Sequence, residues 1–216
     1  RPQWLGLACR ATFSTDCYGE CRLVIEKVKD DVAELLEPST QYLVKKRFRP
    51  NALTLVGFLL NLVAAVLFGF DYLRWAGLVV LLAGVFDFLD GQVARVGGDE
   101  TTFGALLDST VDRYSEIAIW FGVAVSFIRS DSLWTTSAVF FALAGSLMVS
   151  YIRARVEGLG EECKVGFMQR PERVIAIGVG ALVGEIGLTI AIWAIAFLSN
   201  YTALHRVLYF RKRSRD

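Results

Sequence analysis

Four aspartates recur at helical spacing in one segment whose surroundings are mostly apolar: Asp87, Asp90, Asp108 and Asp112. Charged side chains are costly at membrane depth, and those found there usually belong to a functional site. Carboxylates that converge in such surroundings repel one another unless cations bind between them. The segment therefore predicts a cation-binding site.

The spacing of the aspartates places them on one face of each of two consecutive helices. A helix turns roughly 100° per residue, so Asp87 and Asp90 share a face about 140° wide with residues 91, 94 and 95. Residues 104, 108 and 112 form a second stripe on the next helix. The connection, residues 96–103, is short and contains two glycines. We expect two antiparallel helices whose stripes meet.

The side chains around the aspartates indicate which ligand they handle. Carboxylate oxygens without histidine or thiolate suit a hard cation such as Mg²⁺ or Mn²⁺, and protein-bound Mg²⁺ usually works with substrate phosphates. Two such ions could neutralise a pyrophosphate. Gly91, Ala94 and Gly104 leave room for a bulky ligand, and Arg95 offers a planar fork for phosphate oxygens. Any one of these residues is ordinary at a helix end, but their combination indicates a phosphate-handling site.

The helices that must position these residues are predicted to cross a membrane. The 216 residues are 54% hydrophobic, with a mean hydropathy of +0.46, which is typical of a multi-span membrane protein. A single helix over 171–209 would be about 58 Å long, far beyond a bilayer core of about 30 Å. We therefore place a break at Gly184, Glu185 and Gly187. The six predicted spans are 51–70, 75–95, 103–128, 133–152, 171–183 and 188–209.

The basic residues indicate how the spans are oriented. They precede the first span at 45–49, separate the fourth and fifth at 153–173, and follow the sixth at 206–215. The opposite side carries only Arg74 and Arg129. The positive-inside rule places both termini and the aspartates at the cytoplasmic face of the cytoplasmic membrane.

The first residues of the chain have a different pattern. Apolar positions at helical spacing over 22–36 predict an amphipathic helix that Pro38 ends. We therefore expect an all-α integral membrane protein with six transmembrane helices, preceded by an amphipathic interfacial helix. The expected division is an N-terminal cytoplasmic segment, residues 1–40, and a six-span domain, residues 41–216.

The aspartate segment resembles the signature of the CDP-alcohol phosphotransferase family, integral-membrane enzymes that form the headgroup linkages of phospholipids. The signature is DxxDGxxAR, eight further residues and then GxxxDxxxD, and this chain matches every position in type and spacing. The resemblance covers about residues 45–209. It implies a six-span fold and a homodimer.

The resemblance also implies a role for each signature residue. Asp87, Asp90 and Asp108 would ligate a pair of divalent cations, Mg²⁺ or Mn²⁺. Asp112 would contact the metals and act as the general base for an acceptor hydroxyl, which then attacks the β-phosphorus of a CDP-linked donor and releases CMP. The residues that would bind the CDP-lipid are Asn51, Thr54, Asp90, Gly91, Ala94, Arg95 and Gly104.

The acceptor is predicted from four arginines in the segment 150–174: Arg153, Arg155, Arg170 and Arg173. Arginine clusters suit phosphate, which favours a phosphorylated acceptor, although positive-inside topology also explains cytoplasmic arginines. The pattern SYxxARxE followed by GFxxRPER is similar to phosphatidylinositol phosphate synthases and their archaeal counterparts. That resemblance implies inositol 1-phosphate as acceptor, CDP-diacylglycerol or its ether analogue as donor, and these arginines as phosphate ligands.

Two alternatives remain open at this point. One is a phosphatidylglycerol phosphate synthase that uses glycerol 3-phosphate. The other is a non-enzymatic membrane protein that binds or transports cations, since acidic residues in spans also mark ion pathways; a pathway, however, needs neither the glycines nor Arg95. Glu116, one turn past Asp112, is expected to bond a neighbouring helix or to tune the metals. The expected partners are the substrates, a lipid bilayer and a second copy of the chain, with no nucleic acid.

Overall fold

The computed structural model describes residues 36–46, 50–98, 100–161 and 165–213. The regular elements of these residues are helices, which confirms the all-α prediction. They are α1 (36–45), α2 (Pro50–Gly69), α3 (Leu73–Gly97), α4 (Thr102–Arg129), α5 (Leu133–Glu157), α6 (Arg170–Val183) and α7 (Glu185–Arg213).

Four helices are long and apolar enough to cross a membrane: α2, α3, α5 and the part Glu185–Lys212 of α7. The other two predicted spans differ from these for separate reasons. Helix α4 has 28 residues but carries four charged side chains between Asp108 and Glu116. Helix α6 has only 14 residues, which gives a length of about 21 Å. The chain is thus a membrane protein by its helices, while the count of six spans stays a prediction.

Helices α2 to α7 pack in a closed circuit. Helix α2 packs on α3 and α4, α3 on α6, α6 on α7, α7 on α5, and α5 on α4. All six contribute side chains to one apolar core inside this circuit, in which Phe68, Trp120 and Ile192 are among the largest fully buried residues. Large apolar side chains also face outward, such as Phe121 and Trp134. An apolar exterior around an apolar core suits a protein surrounded by lipid.

Helix α6 lies antiparallel to α3 at a close distance. A Cβ atom on Gly77 would lie only 2.6 Å from the carbonyl oxygen of Gly178, so the two backbones need a glycine here. Small residues allow this approach between membrane helices. Farther along, Gly84 faces Val174, and a Cβ there would lie 3.2 Å from its side chain. This register brings the first residues of α6 to the carboxyl-terminal part of α3.

The predicted break in the last apolar stretch is confirmed at Gly184. This residue has φ of 115°, a conformation that favours glycine, and it separates α6 from α7. Helix α7 begins at Glu185 and not at residue 188. A carboxylate in the first turn of a helix is favourable, so Glu185 belongs to the helix rather than to the turn.

The other helix ends extend beyond the apolar runs used to predict them. Helix α5 continues from the predicted residue 152 to Glu157, and its last turn contains an i,i+4 ion pair between Arg153 and Glu157. The predicted amphipathic helix 22–36 lies outside the described residues except for Leu36. Residues 36–45 are helical and include Pro38, so the prediction that Pro38 ends the helix containing Leu36 was wrong.

Candidate active site

Three aspartates meet where α3 and α4 are connected. Asp87 and Asp90 lie in the last turns of α3 and Asp108 near the start of α4, and each offers a carboxylate oxygen within 4.8 Å of the other two. Both helices pack on α2 and approach each other at their connected ends. Gly98, with φ of 68°, ends α3, and the Thr101 side chain accepts a 2.9 Å hydrogen bond that begins α4. The ends of the two predicted stripes therefore meet at Asp87, Asp90 and Asp108.

This cluster fits a divalent cation by the chemistry of its donors. Asp90 is buried and Asp87 and Asp108 are half-buried, so their charges are weakly screened. Anionic oxygens this close to one another are unfavourable unless a cation lies between them. Hard oxygen donors are those that Mg²⁺ and Mn²⁺ prefer.

Asp112, the predicted base, contacts an arginine from another helix. Its Oδ1 atom lies 2.7 Å from Nη1 of Arg170, the first residue of α6. The same Nη1 donates a hydrogen bond to Oδ2 of Asp87. Arg170 therefore links the predicted base to one of the predicted metal ligands.

A second arginine of α6 forms a separate ion pair deeper in the bundle. Arg173 donates hydrogen bonds from Nε and Nη2 to the two carboxylate oxygens of Glu116, at 2.7 and 3.0 Å. Its Nη1 donates to the carbonyl oxygen of Met168 at 3.1 Å. The side chain of Arg173 is 1% exposed. A cavity of about 20 Å³ is lined by Arg170 and Asp87 and also by Arg173 and Glu116. This is room for about one water molecule.

A larger cavity opens beside the aspartates, with a volume of about 540 Å³. The seven residues predicted to bind the CDP-lipid all line it: Asn51, Thr54, Asp90, Gly91, Ala94, Arg95 and Gly104. Thr54 donates a 2.6 Å hydrogen bond to Oδ2 of Asp90. A Cβ atom on Gly104 would lie 2.9 Å from Oγ1 of Thr101. The small residues thus leave a space next to the carboxylates that a nucleotide-sized group can enter.

The wall of this cavity includes residues that the sequence pattern did not single out, namely Glu100, Thr101 and Thr102. Glu100 and Thr101 belong to the α3–α4 connection, where we expected only a loop, and Thr102 is the first residue of α4. The available signal was the threonine three residues before Gly104, since threonine is favoured as the residue that caps a helix.

The four arginines predicted for the acceptor occupy different environments. Arg153 and Arg155 are exposed on the last turns of α5, and Arg153 pairs with Glu157 at 2.8 Å. Arg170 lies between two aspartates, and Arg173 is buried against Glu116. Their common role as phosphate ligands stays a prediction.

Arg206 of α7 is a buried residue that we had counted only as a topology charge. It donates hydrogen bonds to the carbonyl oxygens of Val165, at 2.7 Å, and Val149, at 2.6 Å. One turn earlier, Thr202 accepts a bond from the backbone N–H of Met168 at 3.4 Å. These contacts fix the segment that leads into Arg170.

Comparison with known proteins agrees with this geometry. The pattern of the CDP-alcohol phosphatidyltransferase family matches residues 47–204. The archaetidylinositol phosphate synthase of Pyrococcus horikoshii is 35% identical over 192 residues, which cover 88% of this chain and 98% of that protein.

Solved structures are similar as well. The Mycobacterium tuberculosis phosphatidylinositol phosphate synthase (PgsA1) with CDP-DAG bound has a TM-score of 0.73 and 32% identity, covering 81% of this chain and 92% of that one. The same enzyme in complex with manganese and citrate has a TM-score of 0.69 and 32% identity, covering 79% and 86%. Sequence, fold and aspartate cluster agree: the chain belongs to the CDP-alcohol phosphatidyltransferase family.

Proposed function

We propose that this protein transfers the phosphatidyl group of CDP-diacylglycerol, or of a related CDP-lipid, to the hydroxyl of inositol 1-phosphate, forming phosphatidylinositol phosphate and CMP. The observation that carries the proposal is the cluster of three aspartates within 4.8 Å beside a cavity of about 540 Å³. The names of the similar proteins, which are archaetidylinositol and phosphatidylinositol phosphate synthases, support the same donor and acceptor.

The aspartates are the residues we assign to the metals. Asp87, Asp90 and Asp108, together with Asp112, would hold two divalent cations, Mg²⁺ or Mn²⁺. When bound, such ions neutralise the pyrophosphate and the charge on the leaving phosphate. The manganese complex of the mycobacterial relative supports this choice of metal. Thr54 would hold the Asp90 carboxylate in position through its 2.6 Å hydrogen bond.

The donor would lie in the large cavity. Asn51 and Thr54 form one wall at the start of α2, Gly91 and Ala94 provide space along α3, and Arg95 offers its fork to the pyrophosphate. Gly104 completes the binding site on α4. In this arrangement the cytidine end would lie against backbone, and the lipid tails would extend into the bilayer.

Asp112 would perform the proton transfer. Its carboxylate accepts the proton of the acceptor hydroxyl while the acceptor oxygen forms a bond to the β-phosphorus of the CDP-lipid and the bond to CMP breaks. Holding both substrates in line supplies much of the rate of such reactions. The acceptor phosphate would bind Arg153, Arg155, Arg170 and Arg173. Arg170 has the strongest support because it already contacts Asp112, whereas Arg173 can reach a phosphate only by leaving Glu116.

The membrane arrangement is part of the proposal. Residues 41–216 would form the enzyme domain, preceded by the cytoplasmic segment 1–40, with α2 to α7 as six spans. Both termini and the active site would face the cytoplasm, as the basic residues indicate. The homodimer rests on the family resemblance.

The test is CMP release by the purified protein with CDP-diacylglycerol and Mg²⁺, comparing inositol 1-phosphate, inositol, glycerol 3-phosphate and serine. We expect release to depend on inositol 1-phosphate. Release with glycerol 3-phosphate instead would replace the acceptor and keep the mechanism. Absence of release with every acceptor would contradict the proposed function.

A further inference from the structure

Arg170 occupies two carboxylates that the reaction needs. Its Nη1 atom contacts Oδ1 of Asp112, the assigned base, and Oδ2 of Asp87, an assigned metal ligand. While these contacts persist, an acceptor hydroxyl must compete with a guanidinium for Asp112. In the described structure the predicted base is therefore ion-paired with Arg170.

We propose that Arg170 is a latch that the phosphate of the acceptor opens. Arg170 holds Asp112 and Asp87 until a phosphorylated acceptor draws its guanidinium away, and only then is Asp112 free to accept the proton of the acceptor. This inference rests on the proposed function, because it assigns to Arg170 a control over that same site. Arg170 is thus a positioning residue for Asp112 as well as a phosphate ligand.

The contacts of Arg170 leave it free to exchange partners. Nη1 contacts both aspartates, and within the described part of the chain Nε is buried without a hydrogen-bond partner. The side chain is 16% exposed, so a ligand can approach it. A phosphate offers several oxygens that match the planar fork in a bidentate manner, and can satisfy donors that the aspartates leave unused.

The backbone around Arg170 is fixed, so the exchange requires only its side chain to move. Arg173 bonds Glu116 and the carbonyl oxygen of Met168. Thr202 and Arg206 hold the preceding segment at Met168 and Val165. Rotation of one side chain on a fixed helix is a local event, whereas displacement of α6 would break all these bonds.

The latch has a consequence for the acceptor-free enzyme. Water is a smaller nucleophile than inositol 1-phosphate and can enter wherever the acceptor can. If Asp112 took a proton from water, the water oxygen would bond to the β-phosphorus, the bond to CMP would break, and the CDP-lipid would be lost as phosphatidic acid and CMP. A base that is free only with a phosphorylated acceptor avoids this hydrolysis. It also makes the phosphate of the acceptor a requirement for turnover in addition to a source of affinity.

The first experiment measures CMP release from CDP-diacylglycerol without acceptor and with inositol 1-phosphate, for the wild type and Arg170→Gln. We expect the rate of CMP release without acceptor to rise roughly tenfold in the variant, as loss of a charge-assisted contact implies. Arg74→Gln, an exposed arginine at the opposite end of the bundle, is the control and should keep the wild-type rate. An unchanged acceptor-free rate in Arg170→Gln would overturn the latch, whether or not transfer to inositol 1-phosphate is slower.

The second experiment follows Mn²⁺ binding by the electron paramagnetic resonance signal of free Mn²⁺, without any CDP-lipid. Arg170→Gln should bind Mn²⁺ several-fold more tightly than the wild type, because Asp87 is released from a cation. In the wild type, inositol 1-phosphate should also tighten Mn²⁺ binding, after subtraction of the Mn²⁺ that inositol 1-phosphate chelates without protein. This measurement does not depend on whether the variant folds. No tightening by inositol 1-phosphate in the wild type would overturn the latch. Failure of the proposed function, in contrast, would appear as no CMP release with any acceptor.

Discussion

Two ion pairs on α6, one helical turn apart, differ in how completely their arginine is bonded. Arg173 uses Nε, Nη1 and Nη2 for hydrogen bonds to Glu116 and Met168, and its side chain is 1% exposed. Arg170 contacts Asp87 and Asp112 through one nitrogen, with Nε unpartnered among the described residues and 16% of the side chain exposed. We call the first pair saturated, because all three nitrogens of its arginine are hydrogen-bonded and the side chain is buried. The second pair is unsaturated, because one nitrogen lacks a partner within the described chain and the side chain is partly exposed.

This difference in bonding and exposure determines which pair can change during turnover. A buried charge that loses its partner is strongly destabilised, so Arg173 can leave Glu116 only at a high energetic cost, and the pair fixes α6 to α4. A partly exposed arginine with an unused donor loses little when a phosphate replaces a carboxylate. On the same helix, the pair of Arg173 and Glu116 therefore holds α6 in position, whereas Arg170 can exchange its carboxylate partners for a phosphate.

The largest effect is expected for Asp112→Asn, which removes the carboxylate side of the exchangeable pair. The amide cannot accept the acceptor proton, so transfer should fall by about 10²–10⁴-fold, the usual contribution of a general base. Thermal unfolding should stay close to that of the wild type, because Arg170 retains Asp87. Turnover close to the wild-type rate would exclude Asp112 as the base.

The saturated pair is broken by Glu116→Leu. This change leaves the Arg173 guanidinium buried without its counter-ion, and the free energy of unfolding should fall by about 3–5 kcal/mol, measured by denaturation in detergent. The double variant Glu116→Leu/Arg173→Leu is the matched control and should recover much of that loss, since no unpaired charge remains. A double variant as unstable as the single one would show that the pair does not act through charge compensation.

A smaller effect is expected for Thr54→Val, which removes the hydrogen bond to Asp90 but neither ion pair. Loss of a residue that orients a metal ligand typically weakens metal binding about 10–100-fold, and a Mn²⁺ titration measures this. Thr136→Val is the control, because Thr136 is also buried and its hydroxyl oxygen lies within 3.2 Å of a carbonyl oxygen four residues earlier, as that of Thr54 does. Equal Mn²⁺ affinity in Thr54→Val and the wild type would contradict the assignment of Asp90 as a ligand positioned by Thr54.

The smallest effect on stability is expected for Arg153→Ala, which removes the exposed pair with Glu157. Both side chains are 47% exposed, and surface pairs of this kind contribute about 0–1 kcal/mol. The unfolding transition should therefore hardly move, while the KM for inositol 1-phosphate rises if Arg153 binds its phosphate. An unchanged KM would remove Arg153 from the acceptor site.

Much of the site was predictable from the sequence because its parts are local. The aspartates and glycines lie on two helices joined by a short connection, so helical periodicity alone predicts that Asp87, Asp90 and Asp108 can meet. The same periodicity and the apolar runs predicted the helices to within a few residues at most ends. Gly184 was predictable as a break because a continuous helix would exceed the bilayer. The resemblance to the family outside that signature added Asn51 and Thr54, which line the same cavity as Gly91 and Gly104.

The different roles of Arg170 and Arg173 follow from the tertiary structure and not from the sequence pattern. Arg170 and Arg173 are three residues apart on α6, and nothing in that spacing distinguishes an exchangeable partner from a permanent one. The distinction comes from Glu116, 57 positions earlier in the chain, and from the glycine contacts that set the register of α6 on α3. Likewise, Arg206 is buried because α7 packs against the segment before Arg170, where Arg206 donates a hydrogen bond to the carbonyl oxygen of Val165. Local periodicity determines which residues share a face, but the packing of distant helices determines whether a charge there is saturated, and therefore whether it can move.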